Sequence, residues 1–200
     1  MSFLERFYPD EWLPSAYAVD YQRLYDEGYR GVIYDIDNTL VEHGAPADER
    51  SVRLFAELRE IGFSTCLLSN NRKQRVAGFA SSVGSDFIYL ANKPAVKNYV
   101  RACERMGIRT DQAVLIGDQL FTDVWGAKRA GIANILVQPL NPKEEIQIVL
   151  KRRLEWIVLR SFKKRMREMG RTEFPSGTFQ TGGRSSRDRD AAGRTGRKKR

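Results

Sequence analysis

The stretch "GVIYDIDNTLVEHG", from Gly31 to Gly44, begins as an apolar strand and then sets two carboxylates, Asp35 and Asp37, one residue apart. Residues i and i+2 of a strand share a face, so the pair leaves the strand on one side of the chain. Two carboxylates this close repel and raise one pKa unless a cation joins them or a reaction needs them. The strand therefore ends on a candidate metal-holding or reactive rim.

Outward from this stretch, short apolar runs alternate with helical patterns. "GVIYDI" (31–36), "STCLLS" (64–69), "DFIYL" (86–90), "AVLIGD" (113–118) and "ANILVQ" (133–138) read as strands. They are almost continuously apolar, as strands covered on both faces are. Residues 50–60, 72–80, 95–106 and 123–130 read as helices, with Gly62, Gly107 and Gly131 where three of them stop. This alternation predicts a doubly wound α/β domain, a three-layer Rossmann-like fold with a mostly parallel sheet and helices on both faces. Ligands of such sheets lie at the carboxyl ends of the strands. Chemistry-bearing residues gather there: Asp35 after the first run, Ser69 and Asn70 after the second, Lys93 after the third and Asp118 after the fourth.

A hard cation such as Mg²⁺ takes oxygen ligands and tolerates one or two carboxylates beside waters and a phosphate. Asp118 offers a third oxygen, and Asp123 a group that steadies Asp118 or a metal-bound water. A carboxylate beside such an ion is a competent nucleophile for phosphorus, and a second carboxylate can move the protons. Ser69 and Asn70 provide a hydroxyl and backbone N–H groups at a strand-to-helix turn, and Lys93 a point charge, all suited to a phosphoryl group. Each piece alone is common in turns and loops; the ordered set at four strand ends is not.

That set resembles the haloacid dehalogenase-like superfamily of Mg²⁺-dependent aspartate phosphatases. "DIDNTL" (35–40), "LLSN" (67–70), "NKP" (92–94) and "GDQLFTD" (117–123) match its four motifs in order. The resemblance implies Asp35 as nucleophile and Asp37 as general acid/base. It implies Mg²⁺ on the Asp35 and Asp118 carboxylates and the Asp37 carbonyl. Ser69 and Lys93 would hold the phosphoryl oxygens, and Thr39 would position the loop.

Only 34 residues separate Asp35 from Ser69, and 24 separate Ser69 from Lys93. Each gap is filled by one helix and one strand, leaving no room for a cap domain. The chain thus resembles the capless subfamily IIIA, and more closely its YqeG-like group, through the aromatic-proline lead of "FYPDEWLPSAYAVDYQRLYDEGYRGVIYDIDNTLV". That group is related to mitochondrial phosphatidylglycerophosphate phosphatases, which suggests a phospholipid headgroup as the phosphorylated substrate. A protein, nucleotide or sugar phosphate is the alternative, and a non-catalytic phosphate-binding adaptor a second one.

The 200 residues carry a formal net charge of +9, unevenly spread. Residues 151–200 hold 17 of the 34 basic side chains and only 5 of the 25 acidic ones, so the rest of the chain is mildly acidic. The expected organisation is a lead and helix at 1–29, a phosphatase core at 30–142, a basic amphipathic helix at 143–169 and a disordered basic tail at 170–200. In the helix, Ile146, Leu150, Leu154 and Ile157 form a stripe at helical spacing amid Lys151, Arg152, Arg153, Lys163, Lys164 and Arg165. It reads either as docked on the domain or as peripheral membrane contact, with residues 143–200 on an anionic surface. Without an aromatic stacking pattern or RNA-binding fold, the tail predicts no specific nucleic acid. Two isolated cysteines, a charged N-terminus with a proline, and no run of about 18 apolar residues fit a cytoplasmic chain, peripheral at most on the membrane's inner face.

Overall fold

The computed structural model describes residues 3–141 and 146–171. Among them six strands form: β1 (Glu11–Leu13), β2 (Gly31–Tyr34), β3 (Ser64–Leu68), β4 (Asp86–Ile88), β5 (Ala113–Gly117) and β6 (Ala133–Val137). They make one parallel sheet in the order β1-β6-β5-β2-β3-β4. The order reverses between β2 and β5, and a sheet of this kind opens a crevice at that point. Asp35 and Asp118 are the residues that follow those two strands.

Side chains alternate across the sheet as the two-residue period of a strand requires. Val32, Tyr34, Leu67, Val114 and Ile116 face one core layer, with α2 (Glu49–Ile61) and α3 (Lys73–Val83) over it. Ile33, Cys66, Leu68 and Leu115 face the other, covered by α4 (Lys97–Met106) and α5 (Trp125–Arg129). α1 (Tyr21–Asp26) adds Tyr21 and Leu24 to the first layer. α2 starts at a capping box between Asp48 and Ser51 and ends at Gly62, whose φ of 108° suits glycine. Both cysteines are free and buried, and burial pushes Cys66 up to about 12 and Cys103 to about 11.

The sequence reading is met with three differences. β1 is an edge strand that the reading left in the lead; it forms by pairing with β6, from Glu11 opposite Ile135 to Leu13 opposite Val137. The strand expected over 86–90 stops at Ile88, because Leu90 takes a positive φ of 44°. The helix expected from 123 is preceded by a π-helical turn, Leu120–Val124.

A third apolar cluster joins the lead to the long helix α6 (Ile146–Glu168). Phe7, Tyr8 and Trp12 meet Leu120, Val124, Leu136, Val158, Leu159 and Phe162. Tyr8 stacks edge-on against Phe162 and shares a 2.7 Å hydrogen bond with Ser161 Oγ. The docked face of α6 is therefore not the expected stripe: Leu154 and Ile157 are 54% and 51% exposed. The buried face also carries Glu155, whose carboxylate accepts the Leu120 N–H at 2.8 Å. The side chains of Ile146, Leu150, Lys151, Arg152 and Arg153, and the tail from residue 172, lie outside the described residues. No helix among the described residues is long and apolar enough to cross a membrane.

Candidate active site

Asp35 leaves β2 with its N–H bonded to the Ile116 carbonyl of β5 at 3.0 Å, which fixes it at the strand-order reversal. The chain then turns tightly: Leu40 N–H returns to the Ile36 carbonyl, and Asn38, at φ 63°, donates its N–H to the Val41 carbonyl at 2.7 Å. Asparagine tolerates that left-handed conformation better than most residues. The turn carries Thr39 to Asp118, with Thr39 Oγ1 3.4 Å from Asp118 Oδ1.

Asp35, Asp118 and Asp123 are all buried, and their carboxylate oxygens lie within 4.8 Å of one another. Lys93 Nζ sits among them, donating to Asp35 Oδ1 at 2.8 Å and Asp123 Oδ1 at 2.6 Å. Burial pushes Asp35 up to about 7 against the lowering pull of Lys93, with Asp123 and Asp118 adding repulsion. Burial pulls the Lys93 ammonium down, but Asp123 and Asp35 outweigh it and hold Lys93 above its ordinary range. With every carboxylate ionised, the three acids and the one ammonium would carry a surplus of two negative charges among buried side chains. Such an all-oxygen, doubly negative cluster fits a divalent hard cation. Asp123 thus lies within the acidic cluster. Its other oxygen, Oδ2, accepts the Gln119 N–H at 3.1 Å, a contact that the π-helical turn creates.

Asp37 does not share this cluster. Its Oδ1 accepts Gly44 N–H at 2.7 Å and Arg75 Nη2 at 3.0 Å, and its Oδ2 accepts Asn71 Nδ2 at 2.6 Å. The two aspartates of the opening stretch are separated in role by their partners: one lies with a lysine and two acids, the other with an arginine and two neutral donors. Ser69 is buried at the end of β3, where its Oγ accepts the Asn71 N–H at 3.1 Å. Asn70 clips the third loop, its Oδ1 accepting the Lys93 N–H at 2.8 Å and its Nδ2 lying 3.5 Å from the Lys93 carbonyl. It holds the backbone that presents Lys93. Asn71, Arg75 and Glu155 were not singled out in the sequence. Asn71 and Arg75 lie within six residues of Ser69, at the turn into α3, and that position was the one available signal.

The haloacid dehalogenase-like hydrolase family model matches residues 41–131. Over 160 residues the chain is 36% identical to the probable phosphatase YqeG of Bacillus subtilis (strain 168), covering 80% of this chain and 93% of that one. This chain belongs to the haloacid dehalogenase-like hydrolases. Within them it is a phosphatase similar to YqeG, with a parallel α/β core and no cap among the described residues. It is also 26% identical to phosphatidylglycerophosphate phosphatase 1, chloroplastic, of Chlamydomonas reinhardtii, and 24% identical to the chloroplastic/mitochondrial enzyme of that name from Arabidopsis thaliana. Those matches cover 72% and 71% of this chain but only 58% and 44% of the relatives.

Proposed function

We propose that the protein hydrolyses a phosphomonoester through an aspartyl-phosphate on Asp35, using Mg²⁺, and that its substrate is phosphatidylglycerophosphate. The observation that carries the mechanism is the division between the two aspartates. Asp35 is buried against Lys93 beside Asp118 and Asp123, while Asp37 stands apart with its own donors. When bound, a divalent cation on Asp35, Asp118 and the Asp37 carbonyl supplies charge neutralisation at the phosphoryl oxygens.

This chain's own residues then have defined tasks. An Asp35 carboxylate oxygen attacks phosphorus, and the bond from phosphorus to the alcohol oxygen breaks. Asp37 gives that oxygen a proton and later takes one from the water that attacks phosphorus. The second attack breaks the bond to Asp35 and releases inorganic phosphate. Lys93 and Ser69 hold phosphoryl oxygens, and Asn70 keeps Lys93 in place by clipping its backbone. Thr39 steadies Asp118.

The lipid reading is supported by the two phosphatidylglycerophosphate phosphatases among the relatives, and it agrees with the absence of a cap among the described residues. Exposed Leu154, Trp156 and Ile157 on α6, beside exposed Arg160 and Lys164, support contact with an anionic membrane. The test is phosphate release from phosphatidylglycerophosphate and from a panel of phosphoprotein, nucleotide and sugar phosphates, with and without Mg²⁺. The expected result is the highest kcat/KM on the lipid, dependence on Mg²⁺, and no turnover by an Asp35→Asn chain that still folds. Turnover retained in Asp35→Asn removes the mechanism; a better soluble substrate removes the lipid. An adaptor would release no phosphate from any of them.

A further inference from the structure

Arg75 is placed on the general acid/base, and the structure gives it more donors than Asp37 uses. Among the described residues its ion pair is one contact, Nη2 to Asp37 Oδ1 at 3.0 Å. Its Nε is buried and has no hydrogen-bond partner among the described residues. Asp37 has other donors: with Arg75 withdrawn, Oδ1 keeps the Gly44 N–H and Oδ2 keeps the Asn71 amide. A guanidinium is a planar fork suited to gripping an anion through two N–H groups at once. Here one arm touches a carboxylate that is already satisfied, and a buried N–H goes unused. Buried donors are rarely left so without a ligand to meet.

The charge around it points the same way. Arg72 and Lys73 are exposed at the start of α3, no acidic side chain lies in its first turn, and no side chain caps it. The positive end of the helix dipole thus faces three added cations, an arrangement an anion would relieve. Of these cations Arg75 touches Asp37, and the leaving oxygen must come within reach of Asp37.

Resting on the phosphatase reading above, we infer that Arg75 is a specificity-determining residue that binds a second anionic group carried by the leaving alcohol. The substrate is then a phosphomonoester whose alcohol bears another phosphate or phosphodiester a few bonds from the leaving oxygen. A lipid phosphodiester and a soluble second phosphate share that chemistry.

The experiment compares kcat/KM for three substrates in wild type, Arg75→Ala and Arg75→Lys. They are p-nitrophenyl phosphate, 1,3-propanediol bisphosphate and dihexanoyl phosphatidylglycerophosphate. Arg75→Ala lowers all three, and the loss on the two anionic-alcohol substrates exceeds that on the aryl phosphate by about 10- to 100-fold, as for a charge-assisted hydrogen bond. Arg75→Lys recovers part of that selectivity. An excess loss on the lipid alone supports the inference and identifies the diester as the source; on both, any second anion serves. Equal losses on all three substrates overturn it, because Arg75 then acts only through Asp37. Should Arg75→Ala not fold, competitive inhibition of the wild type decides: glycerophosphoglycerol, a diester without a monoester, inhibits, and the absence of inhibition overturns the inference. If the wild type hydrolyses none of the three, the phosphatase reading itself fails.

Discussion

Glu155 of α6 reaches Leu120 at the head of the catalytic π-helical turn, its buried carboxylate accepting the Leu120 N–H at 2.8 Å. Leu120 is two residues from Asp118 and three from Asp123, so the C-terminal helix fixes the loop that carries two of the three clustered acids. Glu155→Ala leaves that N–H buried and without its carboxylate, at a cost of about 1–3 kcal/mol. The expected outcome is a Tm lower by several degrees together with a weaker apparent affinity for Mg²⁺, read from the metal dependence of turnover. A lowered Tm at unchanged metal affinity would make Glu155 a purely structural contact.

Gly117 is required by a close approach. A Cβ built there would lie 2.5 Å from the Asp123 carboxylate, which is buried and held by Lys93 and the Gln119 N–H. The carboxylate has no room to retreat within a close-packed interior. Gly117→Ala therefore displaces Asp123 and loosens Lys93. The prediction is a loss of about 1–3 kcal/mol in stability by urea unfolding and a fall in kcat at saturating Mg²⁺. Full activity in this variant would mean that Asp123 can shift without consequence.

Five of the six strands were legible because each is a nearly continuous apolar run covered on both faces. β1 was not: Glu11-Trp12-Leu13 lies between Pro9 and Pro14, too short to show alternation, and becomes a strand only by pairing with β6. The rotation of α6 was hidden for a different reason. Apolar residues surround most of that helix, so a stripe through Leu154 and Ile157 and one through Val158, Leu159 and Phe162 look alike in sequence. The buried stripe also holds the Glu155 carboxylate, which accepts a backbone N–H that sequence does not display. At the site, strand ends singled out Asp35, Lys93 and Asp118, which the structure brings together, and Ser69, which is buried after β3. The partners of Asp37 were not legible, since Asn71 and Arg75 reach it only through the turn into α3.

The elevated Asp35 gives a pH dependence whose direction is set. Its carboxyl is held at about 7 by burial, against the lowering pull of Lys93 and with repulsion from Asp123 and Asp118. An unfolded aspartate titrates near 3.9, so folding favours the protonated form. The stabilisation from that proton is fully present below about pH 4 and is lost as pH rises through about 7. In EDTA, the stability of wild type relative to Asp35→Asn, which cannot ionise, should fall between those two values. Divalent metal needs the carboxylate ionised, so its affinity should rise with pH and level off above about 7. Urea unfolding at several pH values checks the first, and calorimetric titration with Mg²⁺ the second. A difference between the two proteins that does not change with pH would show that Asp35 ionises in the fold as it does in the unfolded chain.

The exposed face of α6 can be tested for membrane contact without dismantling the fold. Removing the whole helix would also strip Val158, Leu159 and Phe162 from Phe7, Tyr8 and Trp12, so a truncated chain would confuse binding with unfolding. Leu154, Trp156 and Ile157 are exposed, and Arg160, Lys164 and Arg167 are exposed further along the helix. Each basic residue near an anionic bilayer adds about 1 kcal/mol of attraction. Wild type is expected to sediment with vesicles containing phosphatidylglycerol and much less with phosphatidylcholine alone. Leu154→Glu with Ile157→Glu should lower the bound fraction at least tenfold in Kd, since two apolar contacts of about 1.5 kcal/mol or more are replaced by like charge against the surface. Raising salt should weaken wild-type binding, because the electrostatic part is screened within about 8 Å at physiological ionic strength. Equal sedimentation of wild type and the double variant would take α6 out of membrane attachment, and would leave the proposed roles of Asp35 and Asp37 untouched.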